Sequence, residues 1–229
     1  MSSLARQFEL NFIEGARWKI LLGGLGVTLE ITAMALILGI LLGFLTAIIR
    51  SAHEQTGGLK IGNIICKIYT TVIRGTPVLV QLLIIYFVVF ASVDISKVFV
   101  AVVAFGLNSG AYVSEIVRSG IMSIDRGQLE AGRSLGFNYR QTMLHIIMPQ
   151  AFKNVLPALG NEFITLLKET SVAGYIALTD LTKAGDLIRS RTFSAFMPLI
   201  SVALIYLAMV GLFTFLLGRL ERRLRTSDH

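Results

Sequence analysis

Few residues in this 229-residue chain fall into patterns that make or break covalent bonds. The histidines, His53, His145 and His229, are scattered, and none has the His-Glu-x-x-His spacing that sets two imidazoles and a general base on one helix face. Cys66 is the single cysteine, which excludes an internal disulfide; no metal-ligand cluster surrounds it, and it reads as packing. Asp125 and Glu130 lie in a polar connector, where solvation or helix capping is a cheaper explanation than a catalytic pair. The chain contains no GxxxxGK string to cradle a nucleotide phosphate. No catalytic residue, metal site or cofactor is expected within it.

The more informative polar residues interrupt apolar runs. Arg74 opens the string RGTP; Asn108 and Tyr112 are four apart; Asn161, Glu162, Thr165, Lys168 and Glu169 follow one another over nine positions. Isolated charge is costly in an apolar environment, so these groups predict a wet cavity or paired arrangements. Both remain open on spacing alone. Arg74 to Pro77 could form a kink, an interface or a gate, or could touch substrate. Glu162 could meet a passing zwitterion or pair with Lys168, and Asn108 with Tyr112 could line a pathway or join two helices.

The elements that hold these residues belong to a membrane. Hydrophobic residues make up 54% of the chain and charged ones 15%, with mean hydropathy +0.72, too apolar for a soluble domain of this size. The apolar residues arrive in long runs, which predicts one polytopic domain over residues 1–229. The net charge of +7 sits in short segments between those runs, as charge does when it sets membrane orientation, and does not mark a nucleic-acid face. The first residues lack the pattern of a cleavable signal peptide, so the first apolar helix is expected to remain and to do the targeting.

Five spans are expected. Residues 21–49 form the first, with Gly39 and Gly43 on one face as a close-packing seam or as glycine merely tolerated in lipid. Residues 72–91 form the second and 95–117 the third, whose polar second half (Asn108, Ser109, Tyr112, Glu115) should face protein. Residues 193–217 form the last. Between them, 144–167 would measure about 36 Å as a helix and reads as a crossing kinked near Pro149 or Pro157, with a covered polar face; a surface-lying or re-entrant segment is the alternative. Basic residues after spans one, three and five, among them Arg50, Arg118, Arg133 and Arg225, place the N-terminus outside and the C-terminus in the cytoplasm.

Between spans three and four, residues 128–141 hold no run long enough to cross. A helix there sets Ala131, Leu135 and Phe137 or Tyr139 near one flank and Glu130, Arg133 and Arg140 among its polar positions, with Gly136 able to end it or allow a turn. Such a helix could transmit force from a docked soluble partner, or be an inert interfacial helix.

Segment 127–149 resembles the EAA loop of permease subunits of binding-protein-dependent ABC importers: Glu130, Ala131, Gly132, then Gly136, then Ile146, Ile147, Met148 and Pro149 at matching spacing. Gly132 replaces the second alanine of that pattern and Met148 its leucine. YTTVIRGTPVLVQLLIIYF from Tyr69, NSGAYVSEIVR from Asn108, and KETS from Lys168 are similar to the polar amino-acid branch, the histidine/glutamine permease type. The resemblance implies an all-α polytopic membrane protein of type I (MetI-like) architecture, with five transmembrane helices and a short cytoplasmic coupling helix. It implies a multi-pass permease of the bacterial cytoplasmic (inner) membrane that moves polar amino acids. The implied partners are a second permease subunit in a homodimer or related heterodimer, two cytoplasmic ATP-binding subunits that carry ATP and Mg, an external solute-binding protein and the lipid bilayer. Glu130, Ala131, Gly132, Arg133 and Gly136 would contact the ATPase, with Glu130 making a polar contact or cap, Ala131 and Gly132 packing closely and Gly136 turning the chain. An ion-coupled secondary transporter or channel for small polar solutes is the other reading of the polar groups.

Overall fold

The computed structural model describes residues 3–226, whose regular elements are all helical, with no strand among them. His229 lies outside the described residues. A short helix, α1 (Ser3–Phe8), runs through a π turn (Glu9–Ile13) and a 3-10 turn (Glu14–Ala16) into the long helix α2 (Trp18–Thr56). There follow α3 (Lys60–Arg74); α4 (Val78–Ile84), extended by a π turn (Ile85–Val89); and α5 (Lys97–Met122). Beyond it come α6 (Arg126–Ser134) and α7 (Tyr139–Thr142), which passes through a π turn (Met143–Ile147) into α8 (Met148–Glu169). A 3-10 segment (Thr170–Ile176), α9 (Leu181–Thr192) and α10 (Phe196–Thr226) complete the order.

The centre of the bundle is the α2–α5 pair. A Cβ on Gly39 would stand 2.8 Å from Ser109 Cβ, one on Gly43 2.5 Å from Val113 Cγ1, and one on Gly110 3.0 Å from Leu42 Cβ. The seam expected from Gly39 and Gly43 is therefore real. Lipid offers no hydrophobic drive between helices, so close backbone approach and dispersion hold them together. Contacts advance in the same direction along both helices, which makes α2 and α5 parallel. Parallel neighbours require the intervening chain to return to its starting side.

That return is not the straight helix expected over 72–91. The chain bends by 109° between α3 and α4, and α3 starts twelve residues earlier, at Lys60. Neither piece spans alone: 15 residues make about 22 Å of helix, less than a bilayer's ~30 Å core. Pro77 causes the break, since it cannot donate to the preceding turn and sits in extended conformation with ψ 136°.

Segment 144–167 runs through the bundle and does not lie on its surface. Val155 and Leu159 join Ala47, Val113 and Val117 in one core cluster. Its contacts with α5 run in opposite senses (Ser109 to Glu162, Ser123 to Asn154), so α8 is antiparallel to α5. Phe163 stacks edge-on against Phe213 at 4.8 Å, and Gly160 admits Leu217, so α10 is antiparallel to α8 in turn. Pro149 occupies the first turn of α8, where a missing N–H costs least; Pro157 sits inside without ending the helix. The last span begins at Phe196, three residues later than expected, because Phe193 has φ +54° and forms the turn before it.

By length and composition α2, α5 and α10 can each cross a membrane, and the bent α3–α4 pair makes a fourth candidate. The 22 residues of α8 are long enough at about 33 Å, but their polar positions lower its apolar character.

Candidate functional site

The α3–α4 break frees backbone carbonyls inside the bundle, and one side chain collects them. Gln81 Nε2 donates to Ile73 O at 2.7 Å, Thr76 O at 3.0 Å and Thr76 Oγ1 at 2.9 Å. Its Oε1 accepts from Asn108 Nδ2 of α5 at 3.0 Å. Gln81 is buried, so these bonds replace water that cannot reach the break. Tyr69 adds a second tie, donating to Leu107 O at 2.6 Å. The elbow thus presents Arg74 at a set height beside α5.

Arg74 reaches a carboxylate shared by three helices. Glu115 Oε2 accepts from Arg118 Nε at 3.1 Å and Nη2 at 2.9 Å, and Oε1 accepts from Arg50 Nη1 of α2. Arg74 Nη1 lies 3.9 Å from the same oxygen, with its guanidinium 5.5 Å from the centre of the Tyr112 ring. Arg50 and Arg118 are held closely; Arg74 is held loosely and is the most exposed of the three. One carboxylate therefore ties α2 and α5 firmly and the elbow weakly.

These residues open onto a cavity of about 490 Å³, lined by Arg74, Tyr112 and Glu115 on one side and Asn154, Ala158 and Glu162 of α8 on the other. Glu162 takes its hydrogen bond from Ser109 Oγ at 2.7 Å. Asn154 donates to Ser123 Oγ at 2.9 Å, joining α8 to the end of α5. The cavity offers a guanidinium, two carboxylates, one amide, hydroxyls and an aromatic face, a set that suits a small zwitterion better than an apolar ligand.

At the same end of the bundle, residues 125–147 form a compact hairpin. Asp125 caps α6 by accepting from Gly127 N at 2.6 Å, so the cap falls to Asp125 and not to Glu130. The helix ends in a Schellman turn: Gly136 at φ +85° donates to Arg133 O at 2.9 Å, and Phe137 N donates to Gly132 O at 3.1 Å. Asn138 and Gln141 then make a reciprocal capping box for α7, each side chain bonding the other's backbone N–H at 2.9 Å. Gly132 is buried against Thr142, with a Cβ there only 2.5 Å from Thr142 Cγ2. Its small size serves the hairpin's own packing, whereas Glu130, Ala131, Arg133, Leu135 and Gly136 point outward.

The structure brings together Arg74, Tyr112 and Glu162 of the residues singled out in the sequence. Asn108 is buried behind them on Gln81. Asn161 bonds Pro157 O at 3.2 Å on an exposed edge, and Thr165, Lys168 and Glu169 lie further along α8, outside the cavity wall. Sequence reasoning passed over Gln81, and it gave Glu115 and Asn154 no part in the cavity. A lone amide four residues beyond Pro77, and a carboxylate three before an arginine in a membrane helix, were the available signals.

Residues 36–226 match the family described as binding-protein-dependent transport system inner membrane component. The chain belongs to that family. The arginine transport system permease protein ArtQ of Bacillus subtilis is 39% identical over 91% of this permease and 94% of that protein. The glutamine transport system permease protein GlnP of Escherichia coli is 37% identical, covering 93% and 92% of the two chains. The crystal structure of an amino acid ABC transporter with histidines superimposes with TM-score 0.84 at 41% identity, over 93% of this permease and 98% of that chain. An inward-facing MetNI methionine ABC transporter shares the fold, with TM-score 0.76 at 20% identity over 90% and 97%. The permease is thus an all-α, multi-pass membrane component of MetI-like architecture, a transport subunit of an amino-acid ABC importer and not an enzyme; ATP hydrolysis belongs to a separate subunit. ATP-binding and substrate-binding partners come with the family, and the ion-coupled reading is not favoured.

Proposed function

We propose that this permease moves polar amino acids across the bacterial cytoplasmic membrane as one of a pair, identical or closely related, driven by two cytoplasmic subunits that bind ATP and Mg. An external solute-binding protein delivers the substrate. The arginine, glutamine and cystine named for its relatives support the substrate class.

One observation carries the reading: the outward-facing hairpin and the polar cavity are joined by a single run of helix. The α7 helix passes through the Met143–Ile147 π turn into α8 with no intervening loop, and α8 supplies Asn154, Ala158 and Glu162 to the cavity. A push on Glu130, Ala131, Arg133 or Leu135 from a docked ATPase is delivered along that axis to the cavity wall. ATP-driven closure of the ATPases would then bias the permease between inward- and outward-open states. Gly132 and Gly136 keep the hairpin stiff, the first by packing and the second by its left-handed turn. Arg74, Tyr112 and Glu162 are the groups that meet the amino acid in passage, its carboxylate facing the guanidinium and its ammonium the carboxylate. Asn161, Thr165, Lys168 and Glu169 continue the polar stripe of α8 toward its far end.

The helix directions support five crossings: α2 and α5 parallel, the bent pair returning between them, α8 antiparallel and α10 antiparallel again. Five crossings would set the termini on opposite faces, and the basic hairpin and tail support a cytoplasmic C-terminus.

Competition uptake in vesicles decides this. With the ATP-binding subunits reconstituted, arginine, histidine, glutamine, glutamate and cystine should compete to different extents for ATP-dependent uptake. Transport sustained by an ion gradient with no ATPase present would overturn the proposal.

A further inference from the structure

We propose that residues 3–17 and the turn between α9 and α10 form one membrane-interface anchor, whose partner is the headgroup–acyl boundary of the bilayer at the end of the bundle where α2 and α10 begin. The segment is built into the fold. Asn11 is 0% exposed, and its side chain is fully engaged. Its Nδ2 donates to Gln7 O at 2.7 Å and Ser194 Oγ at 3.3 Å, while its Oδ1 accepts from Thr192 Oγ1 at 2.8 Å. Burying an amide without such partners would cost stability; with them, it locks the segment onto the turn. Phe12 follows it into a cluster with Leu21, Leu181, Ile188 and Val202. Arg17 donates back to Leu10 O, and Gly15 and Ala16, at φ +60° and +49°, turn the segment off the axis of α2.

With one side locked, the other side is apolar and open. Leu4 and Phe8, one helical turn apart, and Ile13 are each more than half exposed. Phe193, held at φ +54° in the turn that Asn11 grips, is 95% exposed. An aromatic in the left-handed region is uncommon, and full exposure to water would leave it with no compensating contact. The two lipid-crossing helices at this end open with Trp18 and Phe196, both exposed, and only 6% of the α10 span is buried inside the chain. The apolar rim is therefore continuous with a lipid-facing surface at the level where the spans start. Charged neighbours (Arg6, Glu9, Glu14) suit the headgroup layer, and amphipathic segments with aromatic anchors lie at that depth.

Trp18 is the only tryptophan, so fluorescence reads the anchor directly. The full chain is reconstituted in phosphatidylcholine vesicles carrying bromine either near the headgroup end of the acyl chain or near its methyl end. Trp18, and a tryptophan introduced as Phe8→Trp or Phe193→Trp in a Trp18→Phe chain, should each be quenched about twofold more by the shallow bromine than by the deep one. Asn11→Leu should release the segment, lowering quenching of the Phe8→Trp probe while leaving Trp18 unchanged. Emission typical of water-exposed indole at positions 8 and 193 would overturn the proposal. So would blue-shifted emission that neither bromolipid quenches, since protein would then cover the rim. Quenching at position 8 that survives Asn11→Leu would remove Asn11 as the lock.

Discussion

Asn108 of α5 donates to Gln81 Oε1 of α4 at 3.0 Å, and through that bond the break between α3 and α4 is fastened to the central helix pair. Two amides in a membrane bundle would otherwise be a liability. Together they satisfy each other and the carbonyls that Pro77 releases. They set the position of Arg74 without touching the cavity.

Gln81→Leu should therefore destabilise the permease by about 1–3 kcal/mol for each buried group it strands, and Asn108→Ala should cost less because one bond is lost. Thermal unfolding of the purified protein in detergent, run as a double-mutant cycle, should show about 1 kcal/mol of coupling between the two positions. Additive effects would mean that the hydrogen bond contributes little.

Gly132→Ala should overpack the hairpin, since the new methyl meets Thr142 Cγ2 at 2.5 Å, at a cost of about 1–3 kcal/mol. ATP-dependent uptake with the ATPase subunits should fall while membrane insertion is unchanged. Thr142→Ala, which removes the clashing atoms, should restore much of it. A Gly132→Ala protein with full uptake would show that the hairpin tolerates the shift.

Glu115→Gln and Glu162→Gln should fail differently. The first leaves Arg50 and Arg118 without their counter-charge and should lower stability by about 2–3 kcal/mol, somewhat less than a fully buried pair costs because Glu115 is partly exposed. The second keeps an acceptor for Ser109 and should fold normally but raise the KM for uptake. Thermal unfolding and transport kinetics on both variants separate the two roles.

Outside the spans, Asp186 is flanked by Arg189 at 2.6 Å and Lys183 at 3.0 Å. Their hydrogen bonds, Arg189 first, hold its carboxyl below the usual carboxylate range. A depressed folded-state pKa means the contribution is present above the unfolded pKa and is lost as pH falls through the folded one. The pair is solvent-exposed, so the loss should be small and should shrink further in high salt. Asp186→Asn should flatten the acid limb of the Tm-against-pH curve by that small amount.

Most of the helices were legible because apolar run length reports bilayer crossing directly. The α2, α5 and α10 helices came from that signal, and the polar second half of α5 correctly indicated a protein-facing side. The broken second span was not legible, because RGTP followed by an apolar run also reads as a helix with proline in its first turn. Which polar residues share a cavity was hidden too: Asn108 and Tyr112 are one turn apart, yet one points back to Gln81 and the other forward to Arg74. Gly132 was read as a contact for another protein, and only the fold of α7 back over α6 shows what fills the space beside it.

The amino-acid sequence alone settled that the chain is a membrane protein, that residues 127–149 carry the spacing of an ABC-importer coupling segment, and that ATP chemistry is absent from its motifs, because hydropathy and short motifs are local properties. Tertiary structure decided how the helices run past one another, that one carboxylate gathers arginines from α2, the elbow and α5, and that the hairpin continues into the cavity wall. Those facts depend on residues tens of positions apart meeting in space, and glycine-sized gaps and hydrogen-bond partners exist only once the helices have packed.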